Sequence, residues 1–283
     1  GGVVAVPPER LTVAIHYNEG DDKVNTSSEL GQLFGYYAST SMLLDSGEKV
    51  DQAIQQLPPG SAVVLDLKSI YGNFYYNTDI PGAPVADALD ASQVDELIRH
   101  LVASDFYLIA RVPAFRDRAY GLENTHHGLA VSGGYLWWDD DNCYWLNPTS
   151  NGALSYLIAV ATELRELGFD EVLFHEFRFP DTSEIIINSN LSRSEAIAQA
   201  AEKIVSSCAT EQFAVSFETD DTAFPLPAGR SRLYLTGVSA AQAQAVLDNS
   251  TVPVKESQLV FFTETNDTRF DIASVVRMLT VSD

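Results

Sequence analysis

Short runs of β-branched and aromatic residues recur along the chain, each ending in polar residues and followed by a stretch with helical spacing. The clearest are Ala62-Val-Val-Leu-Asp-Leu-Lys68, Tyr107-Leu-Ile-Ala-Arg-Val112 and Val172-Leu-Phe-His-Glu-Phe-Arg-Phe-Pro180. Phe34–Ala38, Phe213–Glu218, Arg232–Gly237 and Leu259–Glu264 read the same way. Between them, Val94, Leu97, Ile98 and Leu101 fall at i, i+3, i+4, i+7 and predict a helix over 91–101. Further helices are expected at 50–57, 152–167 (stopped by Gly168), 193–208, 240–247 and 270–279. Strands alternating with helices make a parallel sheet, because parallel neighbours need a long crossover.

The 283 residues suit one α/β domain, a (β/α)8 TIM-type barrel of about 250 residues. No linker-like tract divides residues 34–283; residues 1–33 read as an irregular N-terminal segment. Seven strands are visible, so the eighth is expected from Leu11–Ile15, as an atypical closing strand or part of an irregular barrel. The connection 113–150 exceeds ordinary loop length and predicts a lid or inserted subdomain. Within it, Leu129–Trp137 reads as a hairpin turning at Ser132-Gly-Gly.

Parallel barrels place their chemistry at the carboxyl ends of the strands. There the chain carries Asp66, Lys68, Arg111, His175, Glu176, Arg178 and Glu218. Alternate side chains face opposite sides of a strand, so Asp66 and Lys68 share a face, and Arg111, His175 and Glu218 are expected to point into the barrel. Parity places Glu176 opposite His175. The competing reading is a buried ion-pair network of Asp66 with Lys68 or Arg111.

Glycoside hydrolysis needs two carboxyl groups about 5 Å apart for retention or about 6.5–9.5 Å for inversion. Asp66, Glu176, Glu218 and Glu264 each end a different strand. Trp137, Trp138 and Trp145 all lie in the long connection beside Asp139-Asp-Asp-Asn142; they suit either a sugar-stacking platform or a small core for the hairpin. Neither His-x-His nor His-Glu-x-x-His occurs, Asp139–Asp141 reads as a solvated turn, and no metal is expected. A serine nucleophile lacks its Gly-x-Ser-x-Gly elbow, and with no glycine-rich phosphate loop no cofactor is expected.

Composition narrows the partners. A formal charge of −22, from 17 basic and 39 acidic residues, repels nucleic acid and anionic polymers or lipids, whereas a neutral ligand such as a carbohydrate (oligo- or polysaccharide) is not repelled. Two cysteines far apart make neither a disulfide framework nor a thiolate metal site. No run is long and apolar enough to span a membrane. A start at Gly1-Gly2 without Met leaves room for a removed signal, and with it an extracellular or cell-surface location.

Val63–Lys68 followed by Tyr75-Tyr76, Tyr107–Val112 with Phe115-Arg-Asp117, and Gly168–Pro180 resemble an uncharacterised bacterial glycoside hydrolase family. That family is a (β/α)8 barrel related to the α-amylase and α-galactosidase barrels. The resemblance runs in order through about residues 34–220 and implies a hydrolase. Asp66, Lys68, Arg111 and Arg178 match it, and the fifth-strand acid survives as Glu218. The family's Phe-Asp-Tyr-x-Arg-Phe-Pro motif has His175 in place of its Asp and Glu176 in place of its Tyr. Asn147 replaces the Asp of Trp-x-Asp-Pro, and Leu235-Thr-Gly237 lacks the polar sixth-strand sequence. The expectation is a two-carboxylate glycosidase using Glu218 with Glu176 or Asp66, sugar contacts from Lys68, Arg111, His175 and Arg178, and stacking on Trp137, Trp138 and Trp145. The alternative is a degenerate barrel that binds carbohydrate without cleaving it.

Overall fold

The computed structural model describes residues 30–282, so Leu11–Ile15 lies outside the described residues. Eight parallel strands close a barrel in sequence order: β1 Phe34–Ala38, β2 Ala62–Asp66, β3 Tyr107–Pro113, β4 Glu171–His175, β5 Ala214–Thr219, β6 Leu233–Leu235, β7 Leu259–Phe262 and β8 Ser274–Met278. The main helices are α1 Gly47–Gln55, α2 Ala91–Val102, α3 Asn151–Leu167, α4 Arg193–Cys208 and α5 Ala243–Asn249.

Strand parity decides the two layers. Val64, Ile109, Leu173, Tyr234, Val260 and Val276 fill the barrel interior. Their neighbours Val63, Leu65, Leu108, Val172 and Val215 face outward and pack beneath the helices. Each helix end has a local cause. Asp90 accepts hydrogen bonds from the Ser92 and Gln93 amides at the start of α2, and a Ser192–Glu195 capping box opens α4. Helix α3 stops at Gly168, whose φ of +107° is left-handed and where a Cβ would lie 2.8 Å from Val102.

The eighth strand corrects the expectation of a helix over 270–279. Residues Thr268–Phe270 form one 3-10 turn, and Ser274–Met278 is the strand that pairs with both β1 and β7. Burial on both faces removes the alternation that marks a strand, and Ile272, Val275, Val276 and Leu279 fall at i, i+3, i+4, i+7 and mimic helical spacing.

At the N-terminal end of the strands the interior holds a sealed ion pair, Glu171 with Arg232, neither side chain having any exposed surface. Tyr107 and Tyr234 donate hydrogen bonds to the Glu171 carboxylate, while Arg232 also donates to the carbonyls of Ser257 and Gly31.

The long connection after β3 is built as expected around a hairpin. Gly133 and Gly134 turn it with φ of +94° and +85°, and the Val131 amide donates to the Tyr135 carbonyl at 2.8 Å. Its Ala130–Val131 pairs antiparallel with Ile185–Ile186 from the segment after β4, which ties this insertion to the carboxyl end of the barrel.

Candidate active site

Arg111, near the end of β3, is the hub of the barrel mouth. Its Nε and Nη2 donate to the two oxygens of Glu218 at 2.7 and 3.0 Å, and its Nη1 donates to Asp66 Oδ1 at 2.9 Å. The far oxygen of Asp66 accepts from the Tyr37 hydroxyl at 2.5 Å and from the Thr40 amide and hydroxyl, each at 2.9 Å. Burial opposes the charge on Arg111, but the hydrogen bonds and charge of Glu218, with Asp66 behind, push its pKa up and keep it a cation. The ring of Tyr37 lies 5.3 Å from that guanidinium. Burial raises the Tyr37 phenol above its usual range; Asp66 adds to the effect and Arg111 opposes it.

At the end of β4 the chain breaks regularity. Glu176 has φ of +52°, a left-handed conformation that costs a residue with a Cβ about 1–3 kcal/mol and clusters at functional sites. The carbonyls of His175 and Glu176 accept from the amides of Ala114 and Phe115 at 2.8 and 3.2 Å, so the backbone holds this turn. The turn also overrides parity, since His175 and Glu176 both line one cleft.

Arginines bracket the Glu176 carboxylate. Arg178 Nη2 is 3.2 Å from one oxygen and Arg116 Nη1 is 3.4 Å from the other. Arg116 is itself fixed by Asp139 at 2.7 Å and Asp141 at 2.8 Å. The Arg178 guanidinium stacks 4.9 Å over Trp145, whose indole donates to Asp139 at 2.8 Å. Burial raises the Asp139 pKa, yet bonds from Arg116, Trp145 and two backbone amides outweigh it and hold the carboxyl low. His175 is pushed well below its usual range by burial first, then by the cations Arg111, Lys68 and Arg116; it is a neutral imidazole.

The cleft has a volume of about 690 Å³ and is bounded by Arg111, His175, Glu176, Arg178, Glu218 and Asp220, with Arg193 of α4 on its outer wall. Thus five expected site residues (Arg111, His175, Glu176, Arg178 and Glu218) share one opening. Asp66 stands behind Arg111 and is not among the lining residues. Lys68 is sealed in an ion pair with Asp117 at 2.6 Å, with no exposed side-chain surface, so it cannot reach a ligand. None of the three tryptophans lines this cleft. Trp145 is buried under Arg178, Trp137 donates to Glu184 at 2.9 Å, and the exposed Trp138 meets Tyr144 edge-on.

Sequence reasoning missed Tyr37, Thr40, Arg116 and Asp139. Tyr37 was within reach, because strand parity turns it inward; Arg116 and Asp139 sit in irregular backbone that has no period to read. Among the described residues no group of three or more His, Cys, Asp or Glu side chains could hold a metal ion. No helix there is long and apolar enough to cross a membrane.

The model of a family described as "Putative glycosyl hydrolase domain" matches residues 42–216. No curated protein matches the chain. Among solved structures, a hypothetical protein from Ruminiclostridium thermocellum is 23% identical with a TM-score of 0.53, the match covering 64% of this chain and 96% of that one. A GH20 exo-β-N-acetylglucosaminidase from Vibrio harveyi, solved with N-acetylglucosamine, is 11% identical with a TM-score of 0.58. That match covers 82% of this chain but only 41% of the enzyme. At these identities the likeness concerns the barrel fold alone.

Proposed function

Because the chain belongs to the family described as "Putative glycosyl hydrolase domain", we propose that its cleft binds a neutral carbohydrate and cleaves a glycosidic bond between Glu218 and Glu176. One observation carries the reading: these two carboxylates, from different strands, face the same opening at the carboxyl end of a parallel barrel. Their surroundings assign different roles. Glu218 is clamped through both oxygens by a buried arginine, which fixes an ionised carboxylate and suits a nucleophile or base. Glu176 is held only at 3.2–3.5 Å by Arg178 and at 3.4 Å by Arg116. Arg178 is 48% exposed and free to exchange Glu176 for sugar hydroxyls. In this reading Glu176, the more loosely held carboxyl, is the general acid that gives a proton to the leaving oxygen. Asp66 and Tyr37 keep Arg111 in place, and Trp145 supports Arg178.

A second reading has its own observation. Both carboxylates are arginine-paired and His175 is neutral; a barrel that only binds sugar needs no acid. Release of reducing ends from a glycan panel separates the two. On the hydrolase reading wild type releases them, and Glu218→Gln lowers turnover about thousandfold while sugar binding survives, since Gln keeps the shape but cannot ionise. Binding without release by the wild type, or undiminished release by the variant, overturns the assignment of Glu218.

A further inference from the structure

The cleft does not end at Glu218. A second open cavity of about 590 Å³ lies between the loop after β5, the loop after β6 and helix α5, and it shares Asp220 and Thr236 with the first. Cavities of about 300–1,000 Å³ take drug-sized ligands, so either one exceeds the needs of a single sugar ring.

The chemistry of the second cavity is as informative as its size. Asp220, Thr222, Thr236 and Asn249 line it, and none of their side chains has a hydrogen-bond partner among the described residues. Val238 and Val246 supply apolar surface beside them. The lining contains no lysine or arginine and one acid, Asp220, which disfavours an anionic ligand. Hydroxyl and amide groups over a small apolar floor fit a neutral polyhydroxylated ring, with its alternation of O–H groups and C–H faces.

We propose that this protein takes an oligosaccharide rather than a single sugar, with the cavity at Thr222, Thr236 and Asn249 as a distal subsite for a neutral sugar unit of the same chain. The proposal rests on the carbohydrate reading of the main cleft. In it, the ligand runs from Arg178 and Glu176 across Glu218 and Asp220 to the exposed face of α5, and sugar units beyond the scissile bond add affinity there. Two or three hydrogen bonds of about 1 kcal/mol each correspond to roughly thirty- to a hundred-and-fiftyfold in affinity.

The experiment measures binding by calorimetry, and hydrolysis by release of reducing ends. Its probes are α-1,4-gluco-, β-1,4-gluco-, β-1,4-xylo- and β-1,4-N-acetylglucosamine oligomers of one to six units. Wild type is compared with Asn249→Ala and with Ala245→Trp, which fills the cavity from an exposed helix position. In the series that binds, wild type should prefer hexamer over dimer by roughly tenfold or more, and Ala245→Trp should reduce that ratio to near one. Asn249→Ala should reduce it partway. A flat dependence on length in a series that binds overturns the distal subsite and leaves the glycosidase reading standing, as does a ratio that Ala245→Trp leaves intact. If no member of any series binds, the carbohydrate reading falls and the subsite with it.

Discussion

Two arginine–carboxylate networks sit inside the same barrel, one at each end. At the N-terminal end Glu171 and Arg232 are sealed with no exposed surface, with tyrosine hydroxyls and backbone carbonyls meeting their remaining hydrogen-bonding capacity. At the mouth Asp66, Arg111 and Glu218 repeat the pattern with Tyr37 as the phenol, but Arg111 and Glu218 keep 16% and 12% of their side-chain surface. The ingredients are nearly the same; access differs. Charges inside a barrel therefore do not mark a site by themselves, because a closed ring of strands must pair any charge it encloses. The mouth becomes a candidate for chemistry because a cleft opens on its carboxylate and a second carboxylate, Glu176, lines the same cleft.

The largest effect expected from this contrast is on stability. Glu171→Gln removes the carboxylate from a sealed pair, at a cost of about 3–5 kcal/mol. Glu218→Gln leaves Arg111 bonded to Asp66 at a mouth that solvent still reaches, and the cost should stay below that of Glu171→Gln. Urea unfolding of both variants provides the comparison; equal losses would erase the distinction between a structural and a functional end.

A smaller and opposite shift is expected at Glu176. Replacing it with Gly relieves the left-handed backbone and gives up only long ion pairs, 3.2 Å to Arg178 and 3.4 Å to Arg116. Glu176→Gly should gain about 0.5–1 kcal/mol in unfolding free energy and lose glycan turnover. A loss of stability would show that the contacts with Arg116 and Arg178 outweigh the strain.

The mildest effect sharpens the contrast through pH. His175 is held neutral in the folded chain, so its folded pKa lies below the unfolded value of 6.5. Above pH 6.5 neither state binds the proton and stability is unaffected. As pH falls from 6.5 towards the folded value, the unfolded state takes the proton first, so stability is lost. His175→Gln should flatten that part of a stability–pH curve relative to wild type; parallel curves would mean His175 charges freely in the fold.

How much of this was legible in the chain depended on period and chemistry. Seven strands announced themselves as short apolar runs ending in polar residues, and parity placed Asp66, Arg111 and Glu218 inside correctly. Parity failed at Glu176, where a positive φ carries the side chain round, and nothing in the residue type signals that turn. Lys68 followed the inward pattern but stands past the last paired residue of β2, where Asp117 captures it from another loop. The tryptophans were legible as aromatics and not as neighbours, because their packing depends on Arg178 and Glu184, remote in sequence, as well as on the nearby Asp139. Ser274–Met278 lacked any alternation to read.

That last strand also sets a timetable. The Leu33 amide donates to the Ser274 hydroxyl across 241 residues, and β1 finds its second neighbour only in β8. At ribosomal rates of about 5–20 residues per second, the free edge of β1 waits on the order of ten to fifty seconds for its partner. An unpaired strand edge is a template for association with other chains. Phe34–Ala38 is therefore the segment of the nascent polypeptide that stands longest in need of cover.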